Sequence, residues 1–129
     1  MKKGLAIALV LVMMVFFVGC GLASQLSGTK WEIRESETYE GMTIESVVTY
    51  DFQKGGDFVM SIGVFVGGVS ATSQSYSGSW VVAGDELTIN VTMEGEPMVG
   101  YFIVDIDGDT LTLTDKDDSS YKQIFTRVK

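Results

Sequence analysis

The sequence predicts an all-β fold: an eight-stranded antiparallel up-and-down barrel behind an N-terminal signal segment. Three observations point there. From residue 28 onward Val, Ile, Thr and aromatic residues dominate, Pro97 is the only proline, and no stretch shows a 3.6-residue apolar period. Apolar and polar residues alternate with a period of two in run after run. Short turn signals separate these runs at regular intervals.

The opening segment is read separately. Lys2 and Lys3 precede an apolar run from Gly4 to Val18, followed by Gly19-Cys20-Gly21. A basic start, an apolar core and small residues at its end are the layout of a secretory signal. Phe17-Val18-Gly19-Cys20 resembles the lipobox of prokaryotic lipoproteins, although Phe17 stands where leucine is usual. That resemblance implies a signal peptide over 1–19, lipidation of Cys20, and a place in the cell envelope on the extracytoplasmic face of the membrane. Several acyl chains on one cysteine anchor stably where a single chain is marginal. The alternatives are a cleaved, unlipidated signal and an uncleaved anchor helix, since extending the run through Ala23 gives roughly the 20 residues a membrane span needs. Residues 21–27, GLASQLS, read as a short tether.

The strands follow in order. The first covers 29–35, around Trp31 and Ile33. The second, 43–53, puts Ile44, Ser46, Val48, Tyr50 and Phe52 on one face, and the third, 57–66, does so with Phe58, Met60, Ile62, Val64 and Val66. The fourth, 73–82, groups Tyr76, Gly78, Trp80 and Val82. The fifth, 86–94, alternates Leu87, Ile89, Val91 and Met93 with Thr88, Asn90 and Thr92, the pattern of a half-buried strand. The sixth is 98–106, the seventh 110–115 with Leu111 and Leu113 inward, and the eighth 121–128. Gly78-Ser79-Trp80 to Leu87-Thr88-Ile89 and Gly100-Tyr101-Phe102 to Leu111-Thr112-Leu113 form a weak internal repeat, each a hairpin turning at Gly-Asp.

The connections fall into two classes. The even-numbered ones are tight: 54–56, 83–85 and 107–109. The odd-numbered ones read as longer: 36–42, 67–72, 95–97 and 116–120. In a meander these lie at opposite ends, so one end is expected to be closed. The other carries the loops on which a protein partner would dock. Segment 36–42, with apolar Tyr39 and Met42, reads either as a solvated loop with two stray apolar residues or as a lid over any mouth.

Composition narrows the function. Without Lys2 and Lys3 the chain carries 7 basic and 17 acidic residues, a formal charge of −10. Nucleic acid needs clustered cations, so it is not an expected partner. Histidine is absent and Cys20 is the only cysteine, which removes Ser-His-Asp and Cys-His catalysis and the usual zinc and copper ligand sets. The 105–109 run, DIDGD, has its glycine and acids at the wrong spacing for an EF-hand loop and reads as a turn. No metal, cofactor or enzymatic activity is expected.

Leu26-Ser27-Gly28-Thr29-Lys30-Trp31, the Tyr50-x-Phe52 to Met60 hairpin, Gly78-Ser79-Trp80 and Phe125-Thr126-Arg127-Val128 together resemble small bacterial lipocalin-like domain proteins, many of them lipoproteins. The resemblance covers the chain after the leader. It implies that Trp31 packs under Arg127 at the closed end, as a tryptophan of the first strand and an arginine of the last do in lipocalins, although here Gly28 and Trp31 are separated by one residue more than the usual Gly-x-Trp. It further implies a small apolar ligand inside the barrel, and Tyr39, Met42, Tyr50, Met60, Tyr76 and Met93 are the expected contacts. The residues themselves leave two readings open: small side chains on strand four make room, and the many aromatic residues can fill it. A solid barrel would belong to a non-enzymatic envelope accessory or inhibitor-type protein acting through its loops. Cys20→Ser is expected to shift the protein from the membrane to the soluble fraction on cell fractionation; retention in the membrane would point to an uncleaved anchor.

Overall fold

The structure is a computed structural model that describes residues 21–129; Cys20 and the leader 1–19 lie outside the described residues. Eight strands run β1(Thr29–Tyr39), β2(Met42–Phe52), β3(Asp57–Val66), β4(Val69–Ala83), β5(Glu86–Met93), β6(Glu96–Asp107), β7(Thr110–Asp115) and β8(Lys122–Val128). Each pairs antiparallel with the next and β8 returns to β1, so the sheet closes into a barrel in sequence order. Closure removes the exposed edges that a flat sheet would leave. The strands find all their neighbours among themselves and share one core, so residues 21–129 hold the contacts of an independently folding unit.

Three of the four connections expected as loops are strand instead. The chain turns in two residues at 40–41, 67–68 and 94–95, and φ is positive at both positions in each: Glu40 51° and Gly41 79°, Gly67 59° and Gly68 83°, Glu94 53° and Gly95 82°. Two successive left-handed residues are what a type I′ hairpin turn requires, and its twist matches that of the flanking strands. Segments 36–42, 67–72 and 95–97 therefore extend β1, β2, β4 and β6. Tyr39 pairs with Met42 across the first turn, and the lid reading of 36–42 is overturned. Only 116–121 remains a true loop at this end. It is organised by Asp115, which accepts hydrogen bonds from the backbone of Asp117 and Asp118, and by Asp118, which accepts from Ser120. The Ser120 hydroxyl, and then its backbone N–H, hold the Asp118 carboxyl below the usual carboxylate range.

The pairing between strands is uneven along the barrel axis. At the end where β1 starts, β1 joins β8 through Lys30↔Val128, Trp31↔Arg127 and Glu32↔Thr126, and β4 joins β5 from Ala83↔Glu86 up to Gly78↔Val91. Above those points both seams part. β1 continues to Tyr39 and β4 to Val69 with partners on one side only. The barrel is thus two four-stranded sheets joined at a floor and splayed at the opposite rim.

Gly78 sits at the apex of the second split. A Cβ there would stand 1.7 Å from the Asn90 carbonyl oxygen and 2.9 Å from the Val91 Cα, so β5 crosses where a side chain would be. A glycine at a strand corner is the residue that permits such an approach. Higher in the β3–β4 pairing a bulge between Val64 and Phe65 shifts the register against β4, adding to its coil.

The core fills the floor half. Trp31, Phe52, Leu87, Leu111, Leu113 and Phe125 have no exposed surface. Tyr50, Phe52, Phe58, Phe125 and Trp80 form a chain of aromatic contacts with centroid separations of 4.6–6.4 Å. The expected tether is also corrected. Residues 21–26 are helical, Leu26 is fully buried, and Leu22 and Ala23 pack on the core, so the segment closes the floor. Gly78→Ala is expected to lower unfolding free energy by roughly 3 kcal/mol or to prevent folding, because the clash is with backbone that cannot turn away; urea denaturation checks it, and an unchanged midpoint would refute the corner role.

Candidate binding site

Residues paired directly across neighbouring strands project to the same face of the sheet. The inner face therefore carries Trp31 and Ile33 on β1, Val48 and Tyr50 on β2, Phe58 and Met60 on β3, and Tyr76 and Trp80 on β4. On the second sheet it carries Val91 and Met93 on β5, Met98 and Phe102 on β6, Leu113 on β7, and Gln123 and Phe125 on β8. Below Tyr50 this face is packed solid. Above it lies an open apolar cleft of about 200 Å³. Tyr50, Phe58 and Met60 form one wall; Ile89, Val91 and Met93 of β5 and Met98, Gly100 and Phe102 of β6 form the other, with Val99 at the edge.

Two local choices keep this space open. Gly78 puts no side chain between Phe58 and Val91. The Phe102 ring lies over Gly100, where a Cβ would stand 2.6 Å from it, so any side chain at 100 would push the ring toward the cleft. The methionines add soft walls that adjust to the shape of a ligand.

Of the residues expected to bind, Tyr50, Met60 and Met93 come together in the cleft. Tyr39 and Met42 do not: they stand at the tip of the first hairpin, 69% and 53% exposed. Tyr76 packs against the core beside Met60, donates its hydroxyl to Gln74 Oε1, and is not part of the lining. Phe58, Ile89, Val91, Met98, Val99, Gly100 and Phe102 are the lining residues that the expected set lacks. The alternation of β5 already pointed Val91 inward with Met93, and the repeat aligned Gly100 with Gly78. Burial pushes the Tyr50 phenol above its ordinary range, and neighbouring Tyr121 adds to this while the Gln123 amide partly offsets it. Gln123 Oε1 is itself buried and accepts no hydrogen bond.

The floor holds the other expected pair. Arg127 Cζ stands 4.4 Å from the centroid of the fully buried Trp31 ring. The indole N–H donates to Thr29 Oγ1 at 2.8 Å, and the Thr29 hydroxyl donates to the Leu26 carbonyl, which ties the ring to the helical segment. Arg127 in turn lies 3.4 Å from Asp109 and donates to the Gly108 carbonyl, so it joins β1, β8 and the β6–β7 turn. Lys129 stands 2.9 Å from the same carboxylate. Its hydrogen bond, opposed by desolvation and aided by the charges of Lys129 and Arg127, holds Asp109 below the usual carboxylate range. Trp80 has a matching role: its N–H donates to the Gln53 carbonyl at 3.0 Å across the floor.

Among the described residues no three His, Cys, Asp or Glu side chains gather as a metal would need, and no helix is long and apolar enough to cross a membrane. Residues 26–113 match the lipocalin-like domain family, more than half of the chain, and the protein belongs to that family. No curated protein matches the chain. Arg127→Ala is expected to lower stability by about 1–2 kcal/mol through loss of the cation–π contact; thermal unfolding measures it, and an unchanged Tm would refute the contribution of the pair.

Proposed function

We propose that this protein is a non-enzymatic, lipid-anchored envelope protein whose barrel holds a small apolar molecule in the cleft between Met60 on one wall and Met93 and Met98 on the other. The observation that carries the reading is the cleft itself: an apolar, solvent-open space above a solid aromatic floor, in a family whose barrels generally bind small hydrophobic ligands. The volume of about 200 Å³ is small for a ligand pocket, so it suits one slim chain or ring with part of its surface left in water. The anchoring half of the proposal rests on the leader and Cys20, and entry of the chain at the floor would then leave the cleft facing away from the membrane.

A second reading, contact with another protein, has lost three of its four loops. It is favoured instead by the unpaired edge of β4 from Val69 to Ser77, which carries no charge. Native mass spectrometry of residues 21–129 distinguishes the two, since a co-purifying apolar molecule is expected on the first reading. Met98 is 55% exposed, so Met98→Trp should fill the cleft without cost to the fold. It is expected to weaken binding of decanol about tenfold at unchanged Tm; decanol binding unaltered by the substitution would overturn the cleft as the site.

A further inference from the structure

The charge of the inner face selects among apolar ligands. Across all eight strands Arg127 is the one cation on the inward register, and it is held at the floor between Trp31 and Asp109. The remaining basic residues of the rim half are committed elsewhere. Arg34 is paired to Glu32 and Glu45 and Lys116 to Glu86, while Lys122 sits opposite Thr114 on the outer register. No lysine or arginine lines the cleft.

Carboxylates do occupy the inward register there. Glu96 is the direct partner of Met93, and Asp115 the direct partner of Phe102, both partners being cleft residues. Glu35 and Glu37 continue the inward row of Trp31 and Ile33 on the opposite sheet.

We infer that the cleft takes apolar ligands bearing a positively charged head, such as a long-chain ammonium, in preference to fatty anions. This rests on the cleft being the binding site. An anion entering would lose hydration without gaining a cation and would pass Glu96 beside Met93. A cationic head would remain at the rim, in water, on the side of Glu96, while its chain lies against the methionines. Rim charges act on such a ligand through a high dielectric, so the discrimination is moderate and salt-sensitive.

Decyltrimethylammonium, decanol and decanoate, titrated calorimetrically into residues 21–129 below their micelle concentrations, test this. The ammonium is expected to bind about tenfold more tightly than decanoate at low salt, with decanol between them and the gap narrowing at high salt. Glu96→Lys, a change at an exposed strand end, should shrink the gap several-fold while leaving decanol affinity unchanged. Decanoate binding as tightly as the ammonium, or a gap indifferent to Glu96→Lys, would overturn the inference and leave the cleft proposal standing. Failure of all three probes, decanol included, would overturn the cleft proposal and the inference with it.

Discussion

The barrel is closed between β1 and β8 by three residue pairs, and Trp31 with Arg127 is the middle one. Every other strand junction is longer. So short a seam cannot rest on backbone pairing alone; it is reinforced by groups reaching from three directions. Arg127 covers the indole and reaches Asp109 and Gly108, the indole N–H reaches Thr29, and Thr29 reaches Leu26 of the helical segment. With the ends of the chain fastened there, the aromatic layer of Tyr50, Phe52, Phe58 and Phe125 can pack above it. The splayed upper half then follows: strands of unequal length leave a closed base in different directions, and the cleft is the space between them.

This division also separates stability from function. The floor is solid, apolar and hydrogen-bonded to its own backbone, and little there is free to vary without a packing cost. The rim half is built from hairpins with wet outer surfaces, and its inner wall uses methionines and a bare Gly100. A ligand held there is gripped by soft side chains and by the sign of the surrounding charge, with few directed hydrogen bonds.

How much of this the sequence disclosed depends on whether a residue faces one solvent or two. β5 and β7 separate a core face from a water face, so their period-two pattern gave their bounds almost to the residue. The upper parts of β1 and β4 are wet on both faces. Ser36 to Tyr39 and Val69 to Thr72 therefore carry no apolar alternation and read as loops, although Glu40-Gly41, Gly67-Gly68 and Glu94-Gly95 were available as two-residue turn signals. Residues 21–26 are too short to display a helical period, and what fixes them is the burial of Leu26, a tertiary effect. In the cleft, Tyr50, Met60 and Met93 followed from face and softness. Tyr39 and Met42 were misplaced with the loop that was thought to carry them. The Trp31–Arg127 pairing joins residues 96 positions apart and came from family resemblance, not from pattern.

The long hairpins above the floor have a consequence for internal motion. Local opening costs least where backbone hydrogen bonds are exposed and few apolar contacts are lost. Amide protection should therefore fall steadily from the floor to the hairpin tips. The two outer seams, each unpaired above Glu32 and Gly78, let the sheets breathe against one another without disturbing the base. Motion in this protein is thus graded by height along the barrel axis, and the wall that meets a ligand belongs to its compliant part.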